Sequence, residues 1–276
     1  MPFHLLAFTG TPGINASNFD LTAASDPEIS QRNSHYIFTE QYGLLAAAHF
    51  EVSALRASFL APTWNQYTRF NIYPPNRSLT TPSNPQIDWW VQRPPLIPQN
   101  EEFQAQVSNN LGAATEQANV FAWLGTTNWN QNLPAGKQPV PIMEVRLSYT
   151  TPALTANQWS GLGAVTFEQS LRGGTYAVVG CQAQGAGISA VRLVFPRAPV
   201  WHNRKLRPGT LVSQSAGDIP LSLGPYNPFV FGEWGRFSTF EPPQTEWWGT
   251  SAGAIAVEVR LWLVWLSDSM DVQYAG

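Results

Sequence analysis

Three carboxylates sit in an aromatic-rich run near the end of the chain. Glu233, Glu241 and Glu246 are interleaved with Trp234, Phe237, Phe240, Trp247 and Trp248. Two acids beside stacking rings are what hydrolysis of a glycosidic bond requires, one as proton donor and one as base or nucleophile. The same residues also describe a loop whose aromatics pack on protein while its acids face water. That second reading is preferred, because it needs no fixed distance between carboxyl groups. Asp88-Trp89-Trp90 repeats the acid-Trp-Trp pattern of Glu246-Trp247-Trp248. Such pairs stack sugars or lock neighbouring subunits, where tryptophan is a common anchor. Occurrence in duplicate favours structural use, since a binding site has no need of two copies.

Other chemistries find less support. His4, His35, His49 and His202 show no His-x-His or His-x-x-x-His spacing, and Cys181 is the one cysteine. A zinc-type centre needs clustered ligands. His202, beside Trp201, reads as a loop residue. Neither a Gly-x-Ser-x-Gly elbow nor a phosphate-cradling loop is present. Gly185-Ala186-Gly187 is too short and falls in an expected hairpin. Cys181 is expected to be a small buried hydrophobe, and a lone cysteine fits folding in a reducing compartment. The expectation is a protein without catalysis, cofactor or metal.

What must position these residues is a repeat. Ser53-Ala54-Leu55-Arg56, Phe59 and Ala61-Pro62-Thr63-Trp64 return as Ser189-Ala190-Val191-Arg192, Phe195 and Ala198-Pro199-Val200-Trp201, 136 to 137 residues later in a chain of 276. Weaker echoes keep the same order. Ala7 to Pro12 resembles Ser148 to Pro152, Leu21-Thr22-Ala23 resembles Leu154-Thr155-Ala156, and Phe38 to Gln41 resembles Phe167 to Gln169. Arg93-Pro94-Pro95 before Glu101-Glu102-Phe103 resembles Glu241-Pro242-Pro243 before Glu246-Trp247-Trp248. A repeat at half the chain length means two copies of one folding unit. The expected units are 1–133 and 140–276, joined by a polar, proline-rich linker at 134–139. Arg56 and Arg192 are the repeated charges. An intramolecular carboxylate or carbonyl partner is ranked first for both, and contact with a neighbouring subunit second.

Only 12% of residues are charged, against about 25% in an ordinary soluble domain. Arg outnumbers Lys 13 to 2, and 12 residues are Trp. Arg and Trp favour contact surfaces, whereas Lys favours free hydrated ones. This composition favours self-association over a monomer coated in Ser, Thr, Asn and Gln. The net charge of −3 and a first cation at Arg32 argue against a basic arm or general attraction to nucleic acid. Met1 to His4 lacks the charged start and long apolar run of a signal peptide. Ala254 to Leu266, the most apolar stretch, holds Glu258 and Arg260 and is too short to cross a bilayer as a helix.

Most of the chain reads as strands. Gly43–Phe59, Val140–Thr150, Thr175–Cys181, Ile188–Phe195 and Ala254–Leu266 are rich in β-branched or aromatic residues bounded by Gly, Pro or Asn. Gln182–Gly187 reads as the turn between two antiparallel strands. One helix is expected at about 101–121. There Phe103, Val107, Leu111, Ala114, Ala118 and Phe121 make an apolar stripe, with Asn100 as N-cap. A shorter helical turn is expected from Thr155 to Trp159. Many short strands in two copies imply sandwiches or barrels, with proline-bounded loops favouring sandwiches.

Duplicated sandwich halves, an inserted helix, sparse charge and the run Gly173 to Gly180 followed by Ala190-Val191-Arg192-Leu193 together resemble one family. It is the double jelly-roll major capsid proteins of tailless icosahedral viruses, particularly the internal-membrane phages. The resemblance covers the whole chain in architecture and rests on no diagnostic motif. It implies an all-β fold of two tandem eight-stranded jelly rolls with one inserted helix. It further implies a homotrimer forming a pseudo-hexameric capsomer, assembled in the host cytoplasm into a virion shell. Its partners would be neighbouring capsid subunits, with minor virion proteins or an internal membrane beneath, and no sequence-specific nucleic acid. The interface or structural candidates are Arg56, Trp64, Trp89, Trp90, Arg192, Trp201, Trp247 and Trp248. The alternative is a carbohydrate-binding or glycan-cleaving double sandwich, with a minor vertex or spike component as a third possibility.

Overall fold

The computed structural model describes residues 3–38, 43–51, 56–63, 70–72, 88–89, 96–97, 99–108, 117–125, 142–198, 200–201, 204–213 and 233–272. Trp64, Trp90, His202 and the expected linker at 134–139 lie outside the described residues. By contacts the chain divides into a first unit, Leu5–Thr127, and a second unit, Asn128–Gly276 together with Met1–His4.

The first unit is built from β1 (Phe3–Gly10), β2 (Phe19–Ala23), β3 (Ser30–Arg32), β4 (His35–Ile37), β5 (Gly43–Glu51), β6 (Arg56–Leu60), β7 (Phe70–Ile72), β8 (Asp88–Trp89), β9 (Leu96–Ile97), β10 (Glu102–Ser108) and β11 (Ala118–Gly125). Hydrogen bonding arranges the principal strands in two rows, β1-β11-β5-β8 and β2-β10-β6-β7, joined where β1 pairs with β2. The second unit is built from β12 (Ile142–Thr150), β13 (Gly163–Ala164), β14 (Thr175–Gln184), β15 (Ile188–Val194), β16 (Val200–Trp201), β17 (Arg204–Lys205), β18 (Gly209–Ser213), β19 (Gly235–Ser238), β20 (Gln244–Gly249) and β21 (Ala256–Ser267). Its rows are β12-β21-β14-β19 and β13-β20-β15-β18, joined where β14 pairs with β18.

Within the rows the order of strands is the same in both units, although different strand pairs join the rows. Counting principal strands within each unit, one row takes the first, eighth, third and sixth, and the other takes the second, seventh, fourth and fifth. Two four-stranded rows exchanging strands in this order make a jelly roll, an architecture that leaves few long free edges. The chain is all-β, with one jelly roll following another. The sequence repeat lands on equivalent strands: Arg56 begins β6 and Arg192 lies on β15, each the fourth principal strand. Glu102-Phe103 and Glu246-Trp247 likewise lie on β10 and β20, each the seventh.

Alternation explains the strands. On β10, Phe103, Ala105 and Val107 are buried, while Glu102, Gln104 and Gln106 are partly exposed. This places every second side chain in the core of the first unit. There Phe103 stacks on Phe59 at 5.1 Å and meets Phe8 edge-on at 5.6 Å. Tyr36 joins through its own edge contact with Phe8 at 5.0 Å, and its buried hydroxyl donates to Ala7 O and Ala24 O. On β21, Val257, Val259, Leu261 and Leu263 are buried by the same period-two rule.

The helix expected at about 101–121 does not form over its described residues. Residues 102–108 are β10, and 118–121 open β11. The stripe misled because Phe103 and Val107 are four apart, a spacing that one turn of helix and two repeats of a strand share. Burial of Phe103 beside Phe59 decides for the strand. The hairpin expected across Gln182–Gly187 is also revised. Gly187 does turn the chain, with φ at 75°, but β14 and β15 are not partners. Instead β18 lies between them, parallel to β14 at Ala183↔Val212 and antiparallel to β15 at Ala190↔Leu211. The segment after Thr155 is a turn rather than a helix, with Asn157 at a φ of 59° that breaks helical geometry. Gly174 is required where it stands: its φ is 144°, and a Cβ there would lie 2.3 Å from the Ser267 carbonyl oxygen.

Candidate functional site

The densest buried chemistry lies on β15 and β20 of the second unit. These strands are antiparallel with Arg192 opposite Glu246 and Val191 opposite Trp247. Arg192 donates through Nε and Nη2 to Glu246 Oε2, at 3.0 and 2.7 Å. Arg207, between β17 and β18, donates through Nη1 to the other carboxylate oxygen, Oε1. Its backbone N–H donates to His4 Nδ1 at 3.2 Å. The Arg192 guanidinium also lies 3.9 Å from the centre of the Trp159 ring, a cation–π contact. Trp159 meets Trp248 edge-on at 5.3 Å. Arg192 is 0% exposed, Glu246 7% and Arg207 9%. Two cations and one anion are thus held away from water. The charge-assisted bonds and the tryptophan face offset the cost of desolvating them.

The two tryptophans of the Glu246-Trp247-Trp248 run point to opposite sides of β20, and both sides are covered. Trp247 Nε1 donates to Tyr149 Oη at 3.0 Å and to Thr245 Oγ1 at 3.1 Å. Its backbone N–H donates to Ser160 Oγ at 3.0 Å. Trp248 lies on the side of Glu246, against Trp159. Neither ring has exposed surface. Of the interface and structural uses considered for them, burial fits the structural one: they are interior residues of the second unit. The physical reason is that other residues pack on each face of β20, Trp159 against Trp248 on one and Tyr149 against Trp247 on the other.

The acids considered for glycan cleavage are separated in the same way. Glu246 has both oxygens engaged by arginines. Glu233 pairs with Arg236 at 2.7 and 2.9 Å, and Glu241 with Arg197 at 3.3 Å. Each of the three is engaged by arginine. Arg192 follows the preferred intramolecular reading. Arg56 stands opposite Ser108 in the strand register. Trp89 lies on β8 opposite Ala47, and Trp201 on β16 opposite Arg204. The side chains of these three lie outside the described residues. Sequence reasoning missed Arg207, His4 and Trp159. The one available signal was the buried charge on β20, which needed cations from somewhere.

In the first unit, Glu102 gathers Arg32 Nε at 3.0 Å, Asn33 Nδ2 at 2.9 Å and His35 Nδ1 at 3.2 Å. The hydrogen bond from Arg32, reinforced by those from His35 and Asn33, holds the Glu102 carboxyl below the usual carboxylate range against partial desolvation. Among the described residues no group of three or more His, Cys, Asp or Glu is placed to hold a metal ion.

Two weak acids, the buried Cys181 and the partly buried Tyr149, give the second unit an alkaline limit. Burial pushes Tyr149 up to about 12, against the hydrogen bonds from Thr245 and Trp247. Burial also pushes the thiol of Cys181, opposite Leu261 on β21, upward. In both, the unfolded group ionises first, so stability is fully present below the unfolded pKa values, about 8.5 for Cys and about 10 for Tyr. It is lost as pH rises, by up to about 1.4 kcal/mol per pH unit for each group. Urea midpoints are expected to fall steadily from about pH 9 to about pH 11. Cys181 is expected to react with a thiol reagent only as fast as the unit unfolds. A midpoint flat across this range would contradict the desolvation of both groups.

These strands and this closed interior define a tandem double jelly roll whose charged cluster serves the fold. No protein-family model matches the chain, and no curated protein matches it. Among solved structures, the chain is similar to the major capsid protein P2 from Bacteriophage PM2. The identity is 9%, covering 98% of this chain and 100% of that one, with a TM-score of 0.21. It is also similar to a chain in the atomic structure of Sulfolobus Turreted Icosahedral Virus. There the identity is 7%, covering 94% of this chain and 91% of that one, with a TM-score of 0.20. At such scores neither likeness bears on function, and the wiring of the strands stands without them.

Proposed function

We propose that this chain is the major shell-forming subunit of an icosahedral virion, acting as a homotrimer and without catalysis. The observation that carries this reading is the repetition of one jelly-roll wiring in two consecutive units. A duplicated unit, taken as 1–133 and 140–276 with a junction at 134–139, gives each chain two similar edges. Three chains then present six, and a near-sixfold tile closes against its neighbours by repeated symmetric contacts. Apolar side chains left on the surface suit such contacts: Phe240 is 77% exposed, Ile14 53% and Leu162 50%. Sparse charge and the scarcity of lysine support the same reading. Virion location, assembly in the host cytoplasm, and contact with minor virion proteins or an internal membrane follow from it as expectations. The burial of Trp247, Trp248 and Glu246 removes the support that a glycan-directed reading had.

Light scattering coupled to size exclusion, followed by electron microscopy of the same fraction, tests the proposal. A three-chain particle with six similar lobes is the expected result. A chain that stays monomeric across concentration, salt and pH would overturn it.

A further inference from the structure

Phe240, in the turn between β19 and β20, is 77% exposed, more than any other large apolar side chain among the described residues. Hydrogen bonds fix this turn. Glu241 N–H donates to Ser238 O at 2.9 Å, and Thr239 N–H donates to Gly174 O at 3.1 Å. The Gly174 N–H returns a bond to Thr239 Oγ1 at 3.3 Å. Pro242 follows and holds its own φ. A ring held out in water by a fixed turn gives up little conformational freedom when it is covered, which is what an interface anchor needs.

The charges beside Phe240 decide what covers it. Arg197 Nε lies 3.3 Å from Glu241 Oε2, and Arg197 Nη1 lies 4.0 Å from Asp271 Oδ1. Three residues before Asp271, Asp268 accepts a bond from Arg172 at 2.8 Å. All five side chains are about half exposed or more. This end of the second unit therefore shows both signs side by side. A polyanion would meet the carboxylates, and a strongly basic partner would meet the arginines. A second copy of the same surface, rotated by half a turn about an axis at Phe240, meets neither conflict. It sets the arginine of each copy against a carboxylate of the other, as a self-complementary two-fold contact requires. We infer that the β19–β20 turn is a two-fold contact between copies of this chain, with Phe240 on Phe240 at the axis and Arg197 of each copy on Glu241 of the other. Three chains around a threefold axis do not make such a contact with one another, so it goes beyond the trimer proposed above and joins one trimer to the next.

Sedimentation equilibrium of the full chain reads the pairing step. Phe240→Ser, Arg197→Glu and Glu241→Arg are each expected to raise its dissociation constant at least about tenfold. The exposure of all three positions leaves folding intact, which an unchanged urea midpoint checks. An equimolar mixture of Arg197→Glu and Glu241→Arg chains should pair about as tightly as wild type, because each reversed charge then faces its opposite across the axis. Phe240→Ser pairing like wild type, or a mixture no tighter than its components, defeats the inference. Wild-type trimers that never pair defeat it while leaving the trimer standing. Wild-type pairs without trimers uphold it and remove the trimer, and a chain that stays single removes both.

Discussion

Glu246→Gln will destabilise the second unit by about 3–5 kcal/mol, the usual cost of removing one partner from a buried ion pair. Glu246 accepts hydrogen bonds from both Arg192 and Arg207. Gln keeps one carbonyl oxygen but turns two N–H groups toward a guanidinium that is almost without solvent contact. One arginine is then left charged, buried and facing donors. The effect should appear as a lower urea midpoint for the second unit, with the first unit unmoved. A contrast sharpens the test. Replacing Arg192, Arg207 and Glu246 together by Met, Met and Leu removes all three charges, and apolar replacements of buried ion clusters are often neutral or stabilising. The triple variant should therefore recover most of what Glu246→Gln loses. A wild-type midpoint for Glu246→Gln would mean that the carboxylate is not buried between these cations.

Trp248→Ala and Trp247→Ala will each cost about 3–5 kcal/mol, as expected for removing a buried indole. The two losses differ in kind. Trp248 fills space against Trp159, whose other contact is the Arg192 guanidinium. Its removal opens a cavity next to the charged cluster and loosens the ring that shields it. Trp247 also donates to Tyr149 and Thr245. Trp247→Phe therefore restores volume but not the hydrogen bonds, while Trp248→Phe restores the greater part of its contact. Trp248→Phe should thus recover more stability than Trp247→Phe. Both alanine variants should lose secondary structure on mild heating together with any assembly. If either stayed as stable as wild type while losing affinity for a glycan, the interior placement of that ring would be wrong.

The strands were legible because their signal is local. Val257, Val259, Leu261 and Leu263 alternate with partly exposed neighbours, and the pleat follows from two-residue periodicity alone. The repeat was legible too, and it held more information than the periodicity drawn from 101–121. Glu101-Glu102-Phe103 matches Glu246-Trp247-Trp248, and one segment could not be helix while its copy was strand. The apolar stripe at spacings of three and four outweighed that match, although Phe103, Ala105 and Val107 alternate as cleanly as any strand in the chain. The hairpin across Gln182–Gly187 failed for a different reason. A turn was correctly expected at Gly187, but whether its flanking strands pair depends on what comes between them. Here β18 does, from some twenty residues further along.

What the amino-acid order determined by itself is the kind of molecule: two copies of a β unit, with arginines at matched positions and little charge to spare. Those properties reside in composition, period and self-similarity, each readable within a short window or by sliding the chain along itself. What the tertiary structure alone decided is who meets whom. Arg192 finds Glu246 across 54 residues and Arg207 finds it across 39. Trp247 and Trp248 became interior because Tyr149 and Trp159, distant in sequence, pack on opposite faces of β20. Contacts of that range depend on the register of strands closing over a shared core, and no local pattern encodes that register.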